Sequence, residues 1–124
     1  MRRVLIIDDS ALIREAGVIA LELAGWEVAV ASDGEAGVAA ATDDPPDGVL
    51  LDIEMPGIDG LETLRRLRAD PRTAALPVAF LTAKGDDPAE RAALLAAGAD
   101  AVIAKPFQLP ELADAVRAAF GWDA

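Results

Sequence analysis

Four stretches of this chain carry, at the ends of apolar runs, residues that could act together on a phosphoryl group. In VLIIDDS (4–10), four apolar residues run straight into two adjacent carboxylates, Asp8 and Asp9. In GVLLDIEMPGIDG (48–60), Asp52 follows directly on the apolar run. In PVAFLTAKGD (77–86) and GADAVIAKPF (98–107), the apolar runs end in Thr82-Ala83 and Lys105-Pro106. Adjacent carboxylates repel, and burying either one unpaired is costly, so the Asp8-Asp9 pair calls for water or for a cation. Asp8, Asp9 and Asp52 against Lys105 leave two negative charges, which is one divalent cation. Oxygen donors with no Cys or His suit a hard ion, Mg²⁺ with Mn²⁺ as the alternative, over Zn²⁺. With that cation and Lys105 neutralising charge, a carboxylate becomes a nucleophile toward phosphorus and forms an aspartyl phosphate. Thr82 and a backbone N–H would bond the remaining oxygens.

Each residue alone has an ordinary explanation. An Asp after a strand caps a helix or sits in a turn, a Thr suits a strand, and a Lys is solvated. The argument rests on their joint position, which depends on the elements that carry them. Short apolar runs recur at 4–7, 26–31, 48–51, 77–82 and 101–104, each bounded by Gly, Pro or Asp. Helical patterns fill the gaps at 10–24, 34–43, 60–69, 88–97 and 109–120. In the first, Leu12, Ala16, Ile19, Ala20 and Leu23 share a face, Ser10 is placed to cap the start and Gly25 the end. In the third, Leu61, Leu64 and Leu67 fall together; in the fifth, Leu112, Val116 and Phe120 do. Met55-Pro56-Gly57 reads as a turn. Alternating strands and helices predict an α/β domain with a parallel sheet covered on both faces. In such sheets function gathers at the carboxyl ends of the strands. Asp8, Asp9, Asp52, Thr82 and Lys105 all lie there.

Composition narrows the classes. The 124 residues are 53% hydrophobic, enough for one globular domain. A net charge of −11 argues against a bare nucleic-acid surface and suits a metal cation, a basic partner or plain solubility. The chain has no Cys and no His, which removes disulfides, thiolate and histidine catalysis, and any phosphohistidine of its own. No apolar run approaches the roughly 18 residues of a membrane span, and none resembles a signal peptide, so a cytoplasmic location is expected.

VLIIDDS, LLDIEMPGIDG, PVAFLTAKGD and GADAVIAKPF, in this order and spacing, resemble the receiver domain of bacterial two-component response regulators over essentially the whole chain. The resemblance implies a flavodoxin-like doubly wound (βα)5 fold, with a five-stranded parallel sheet of order 2-1-3-4-5 and helices on both faces. It implies that residues 1–124 form a single receiver. It makes Asp52 the phosphoacceptor, Asp9 a direct Mg²⁺ ligand, Asp8 a direct or water-mediated one, and the Glu54 carbonyl a further ligand. Thr82 and the Ala83 backbone would bond the phosphoryl group, Thr82 shifting toward it on activation. Lys105 would pair with one of its oxygens, and the Lys105–Pro106 peptide would be cis. At the position of Val102 many receivers carry an aromatic ring that swings inward when the hydroxyl at the Thr82 position moves. Valine cannot do this, and Val102 reads as a core strand residue. Glu54 and Lys84 would border the path of the hydrolytic water, paired or solvated.

The expected function is a phosphoacceptor that takes phosphate from a histidine kinase, a histidine phosphotransfer domain or a small donor. Output would then pass to a downstream protein at the face of the fourth helix, fifth strand and fifth helix. Leu109, Leu112 and Phe120 lend that face little support of their own, since they also fit the core. With no DNA-binding element after residue 124, output by protein contact is expected, without nucleic acid or membrane. Two other readings stand beside it. A small aspartate-nucleophile phosphatase would place a second Asp where Glu54 stands and would carry a substrate-capping insertion. A receiver-like module that binds without phosphorylation is disfavoured by the intact set of Asp, Thr and Lys.

Overall fold

All five apolar runs become strands in the computed structural model, which describes residues 1–122. The last two residues of the expected 1–124 domain lie outside the described residues. The elements alternate: β1 (Arg3–Ile7), α1 (Ala11–Leu23), β2 (Glu27–Ala31), α2 (Gly34–Asp43), β3 (Gly48–Asp52), α3 (Gly60–Ala69), β4 (Val78–Thr82), α4 (Pro88–Ala96), β5 (Ala101–Ala104) and α5 (Leu109–Phe120). Four helices start at a side-chain cap: Ser10, Asp33, Asp59 and Asp87 each accept a hydrogen bond from a first-turn N–H. Pro88 follows its cap, where a missing N–H costs nothing.

The strands pair in parallel in the order β2-β1-β3-β4-β5. β3 and β4 are buried at every position, as expected for central strands covered on both faces. Side chains alternate along β1, so Leu5 and Ile7 join one core with Leu51, Phe80, Leu64 and Leu67. Val4 and Ile6 join the other with Leu50, Leu81, Leu21 and Val116. Strand order reverses between β1 and β3, which lie side by side although a strand and two helices separate them in sequence. Ile7 pairs with Leu51, Asp52 with Leu81 and Thr82 with Ala104, so the strands end level with one another.

The first helix buries a different face from the one its apolar spacing suggests. Leu12 and Leu23 are 74% and 80% exposed and Ile19 is half exposed, while Gly17, Ala20 and Leu21 are buried. The residue that decides is Gly17: a β-carbon there would lie 2.6 Å from Ile6 Cδ1. Only the glycine face lets this helix lie close against β1. Likewise Leu61 of α3 is exposed, and the buried position beside Leu64 is taken by Thr63. Thr63 can be buried because its hydroxyl donates to the Asp59 carbonyl at 2.7 Å.

These burials set a contrast within one helix. Leu21→Ala should destabilise the fold by about 2–5 kcal/mol, and Leu23→Ala by less than about 0.5 kcal/mol. Urea unfolding midpoints of the two variants measure this, and equal losses would contradict the assigned face.

Candidate functional site

The carboxyl ends of β1, β3, β4 and β5 bring Asp8, Asp9, Asp52, Thr82 and Lys105 to one edge of the sheet. Asp8 is completely buried. Its Oδ1 accepts the Ser10 N–H at 2.9 Å and its Oδ2 accepts Lys105 Nζ at 2.8 Å. Its carbonyl also accepts Arg14 Nη1 at 2.8 Å. Asp9, the next residue, is exposed. Asp52 ends β3 and is 8% exposed. Its Oδ1 accepts both the Ile53 N–H, at 2.9 Å, and Lys105 Nζ, at 3.1 Å. Its Oδ2 takes no hydrogen bond from an amide or ammonium among the described residues.

Thr82 is also buried, and its hydroxyl accepts the Lys84 N–H at 3.1 Å, which leaves its own proton to donate. The Thr82 carbonyl accepts the Lys105 N–H at 2.8 Å, tying the ends of β4 and β5 together. The Lys105–Pro106 peptide is cis. A cavity of about 380 Å³ opens over Asp52, lined by Thr82, Ala83, Lys84, Lys105, Glu54 and Glu90 among others.

The electrostatics follow from this crowding. Burial raises the Asp52 carboxyl above its ordinary 3.8, Lys105 opposes that, and the neighbouring Asp8 and Asp9 reinforce it. Burial pulls Lys105 down, but its bonds to Asp8 and Asp52 outweigh this and hold the ammonium above its ordinary 10.5. Oxygens of Asp8, Asp9 and Asp52 lie within 4.8 Å of one another. A hard divalent cation fits such a set: all donors are oxygens, one carboxylate is exposed, and one ammonium balances only part of the charge.

This geometry stands beside clear sequence kinship. Residues 4–117 match the response regulator receiver domain family. The chain belongs to that family. It is 41% identical over 117 residues to the phosphate regulon transcriptional regulatory protein PhoB of Pseudomonas aeruginosa, covering 94% of this chain and 51% of that protein. It is 42% identical over 118 residues to the DNA-binding dual master transcriptional regulator RpaA of a Synechocystis species, covering 95% of this chain and 48% of that one. The chain thus spans about half the length of these curated relatives. Among solved structures, the chemotaxis response regulator CheY4 of Vibrio cholerae superposes with a TM-score of 0.90 at 30% identity, covering 96% of this chain and 98% of that one. A putative response regulator from Chloroflexus aurantiacus superposes with a TM-score of 0.88 at 36% identity, covering 97% and 98%.

In this receiver domain, Glu54 and Lys84 form no ion pair among the described residues; both are exposed. Val102 is 5% exposed and packs in the core that holds Phe80 and Leu94. Two nearby residues escape sequence reasoning. Glu90 lines the cavity from the first turn of α4, and Arg14 holds the Asp8 backbone from α1. Neither belongs to a strand end, and their only sequence signal is position in a helical first turn, which many solvated residues share. No helix among the described residues is long and apolar enough to cross a membrane.

Because the native state raises the Asp52 pKa above 3.8, that group stabilises the fold when protonated. Its contribution is lost as pH rises through the folded-state value. In chelator without metal, the stability advantage of Asp52→Asn over the parent should therefore grow between about pH 4 and pH 7. Thermal midpoints taken across that range test it, and a difference that stays constant would contradict the crowding.

Proposed function

We propose that this receiver domain accepts a phosphoryl group on Asp52 and signals by the resulting change of shape. The observation that carries this is the division of labour on one carboxylate. Oδ1 is held by Lys105 and the Ile53 N–H, while Oδ2 takes no hydrogen bond from an amide or ammonium among the described residues, and Asp52 lines an open cavity. Oδ2 would attack phosphorus as the bond from phosphorus to the donor breaks, and the leaving group takes that electron pair. The chain has no His, so a phosphohistidine donor must come from outside these 124 residues, on a histidine kinase or phosphotransfer domain. A small donor such as acetyl phosphate serves the same chemistry.

Asp9, Asp52 and the Glu54 carbonyl would hold Mg²⁺ or Mn²⁺, with Asp8 in a supporting role that its two occupied oxygens favour. The bound cation supplies charge neutralisation for the transferring oxygens. Lys105 would pair with one of those oxygens, Thr82 would donate its hydroxyl proton to another, and the Ala83 N–H would bond a third. Residues 1–124 act in this reading as one receiver unit. Output would pass to a downstream protein at α4, β5 and α5, where a groove of about 470 Å³ is lined by Val102, Phe107, Leu112 and Ala115 with Glu111.

Incubation with acetyl phosphate and Mg²⁺ should add one acid-stable, alkali-labile phosphoryl group by intact mass, absent from Asp52→Asn. An adduct that persists in Asp52→Asn, or fails to form on the parent, overturns the assignment. Asp9→Ala should abolish the response to Mg²⁺ titration, and an unchanged titration would remove Asp9 from the ligand set.

A further inference from the structure

Thr82 is joined to the segment that follows it by its side chain and its backbone. Its hydroxyl accepts the Lys84 N–H at 3.1 Å, and its carbonyl accepts the Gly85 N–H at 3.2 Å. Gly85 in turn lies directly on β5. A β-carbon there would sit 2.5 Å from Ala104 Cα and 2.8 Å from Ala104 N, so no side chain fits between the loop and the strand. From α4, Arg91 reaches the same two pieces of backbone. Its Nη1 donates to the Gly85 carbonyl at 2.7 Å and to the Val102 carbonyl at 3.1 Å.

Among the described residues β5 ends the sheet and has β4 as its only strand partner, so a carbonyl bonded from α4 adds a restraint that the ladder does not supply. α4 itself is lightly anchored: it buries only Leu94, where α3 buries four residues. An element held by so little apolar contact shifts at low cost, and its few polar ties then decide what it moves with. Val102 offers no side-chain alternative, being a buried valine with no polar atom and no ring to reorient.

We propose that Arg91 is a positioning residue that carries a displacement of Thr82 to β5 and α4, by clamping the Gly85 and Val102 carbonyls so that loop, strand and helix move as one body. The clamp rests on the reading of Asp52 as phosphoacceptor, since that is what would draw Thr82 inward. It adds to that reading a route by which the site reaches the outer strand through backbone carbonyls. Arg91 touches neither Asp52 nor Lys105 through any hydrogen bond or ion pair, so the route and the chemistry can be separated by substitution.

The test is amide hydrogen exchange of the whole chain, with and without beryllium fluoride and Mg²⁺, on the parent, Arg91→Met and Arg91→Lys. In the parent the fluoride complex should slow exchange about severalfold both in the loop at 83–87 and in β5. In Arg91→Met the loop response should remain and the β5 response should fall to less than about half, while phosphorylation by acetyl phosphate stays within about twofold of the parent. Arg91→Lys can reach one carbonyl and should restore part of the β5 response. A β5 response in Arg91→Met equal to that of the parent overturns the clamp. If Arg91→Met does not fold, Arg91→Lys decides: a reduced β5 response with an intact loop response supports the clamp, and a full response overturns it. A parent that shows no loop response overturns the clamp; the phosphoacceptor reading falls separately, if acetyl phosphate leaves no adduct on the parent.

Discussion

Three carboxylates share one ammonium at the end of this sheet, and the surrounding structure is arranged around that imbalance. Lys105 bridges Asp8 and Asp52 at 2.8 and 3.1 Å, yet Asp8 is wholly buried and Asp52 nearly so. The strands cannot splay to relieve the repulsion. β1 and β3 are adjacent in the middle of the sheet and sealed into apolar layers on both faces. Water cannot screen the pair well either, because burial is the main cause of the raised Asp52 pKa. The core thus holds together a set of like charges that would separate on an open surface. A divalent cation held there would restore the balance.

The same arrangement divides the site into a firm half and a yielding half. Asp8 has both side-chain oxygens and its backbone carbonyl engaged, by Lys105, Ser10 and Arg14, and it follows a fully buried strand end. Across the cavity, Thr82 opens onto a loop whose residues 83 and 84 are exposed, and that loop leads to the sparsely buried α4. A ligand met by a fixed carboxylate on one side and, on the other, by a strand-end hydroxyl that opens onto an exposed loop could shift that loop's population of conformations without disturbing its own binding platform. Gly85 lies against the β5 backbone with no room between them, which makes the loop and the outer strand mechanically continuous.

Much of this was legible in the chain before any coordinates. The residues at the strand ends meet because a parallel sheet must put all its carboxyl ends on one edge. Asp8, Asp9, Asp52, Thr82 and Lys105 each follow or close an apolar run, so locating the runs locates the residues. The helix caps were equally local: Ser10 bonds an N–H three residues on, and that interaction depends on nothing distant. The family kinship then supplied the strand order, which spacing alone cannot distinguish from other parallel arrangements.

What local pattern could not decide was any choice made by a distant surface. Leu12, Ile19 and Leu23 form as regular a stripe as the one that α1 buries, and only the fit of Gly17 against Ile6 selects between them. Glu54 and Lys84 could have paired, but the structure leaves them apart and exposed. Arg91 looks like one more solvated charge on an Ala-rich helix until the fold brings the Gly85 and Val102 carbonyls within reach of a single nitrogen. The sequence determined which groups arrive at this edge of the sheet, because periodicity and strand ends are properties of the chain itself. Tertiary structure alone decided which oxygens are occupied, which face is buried and which carbonyls share a donor, because each of these depends on two segments meeting at van der Waals distance.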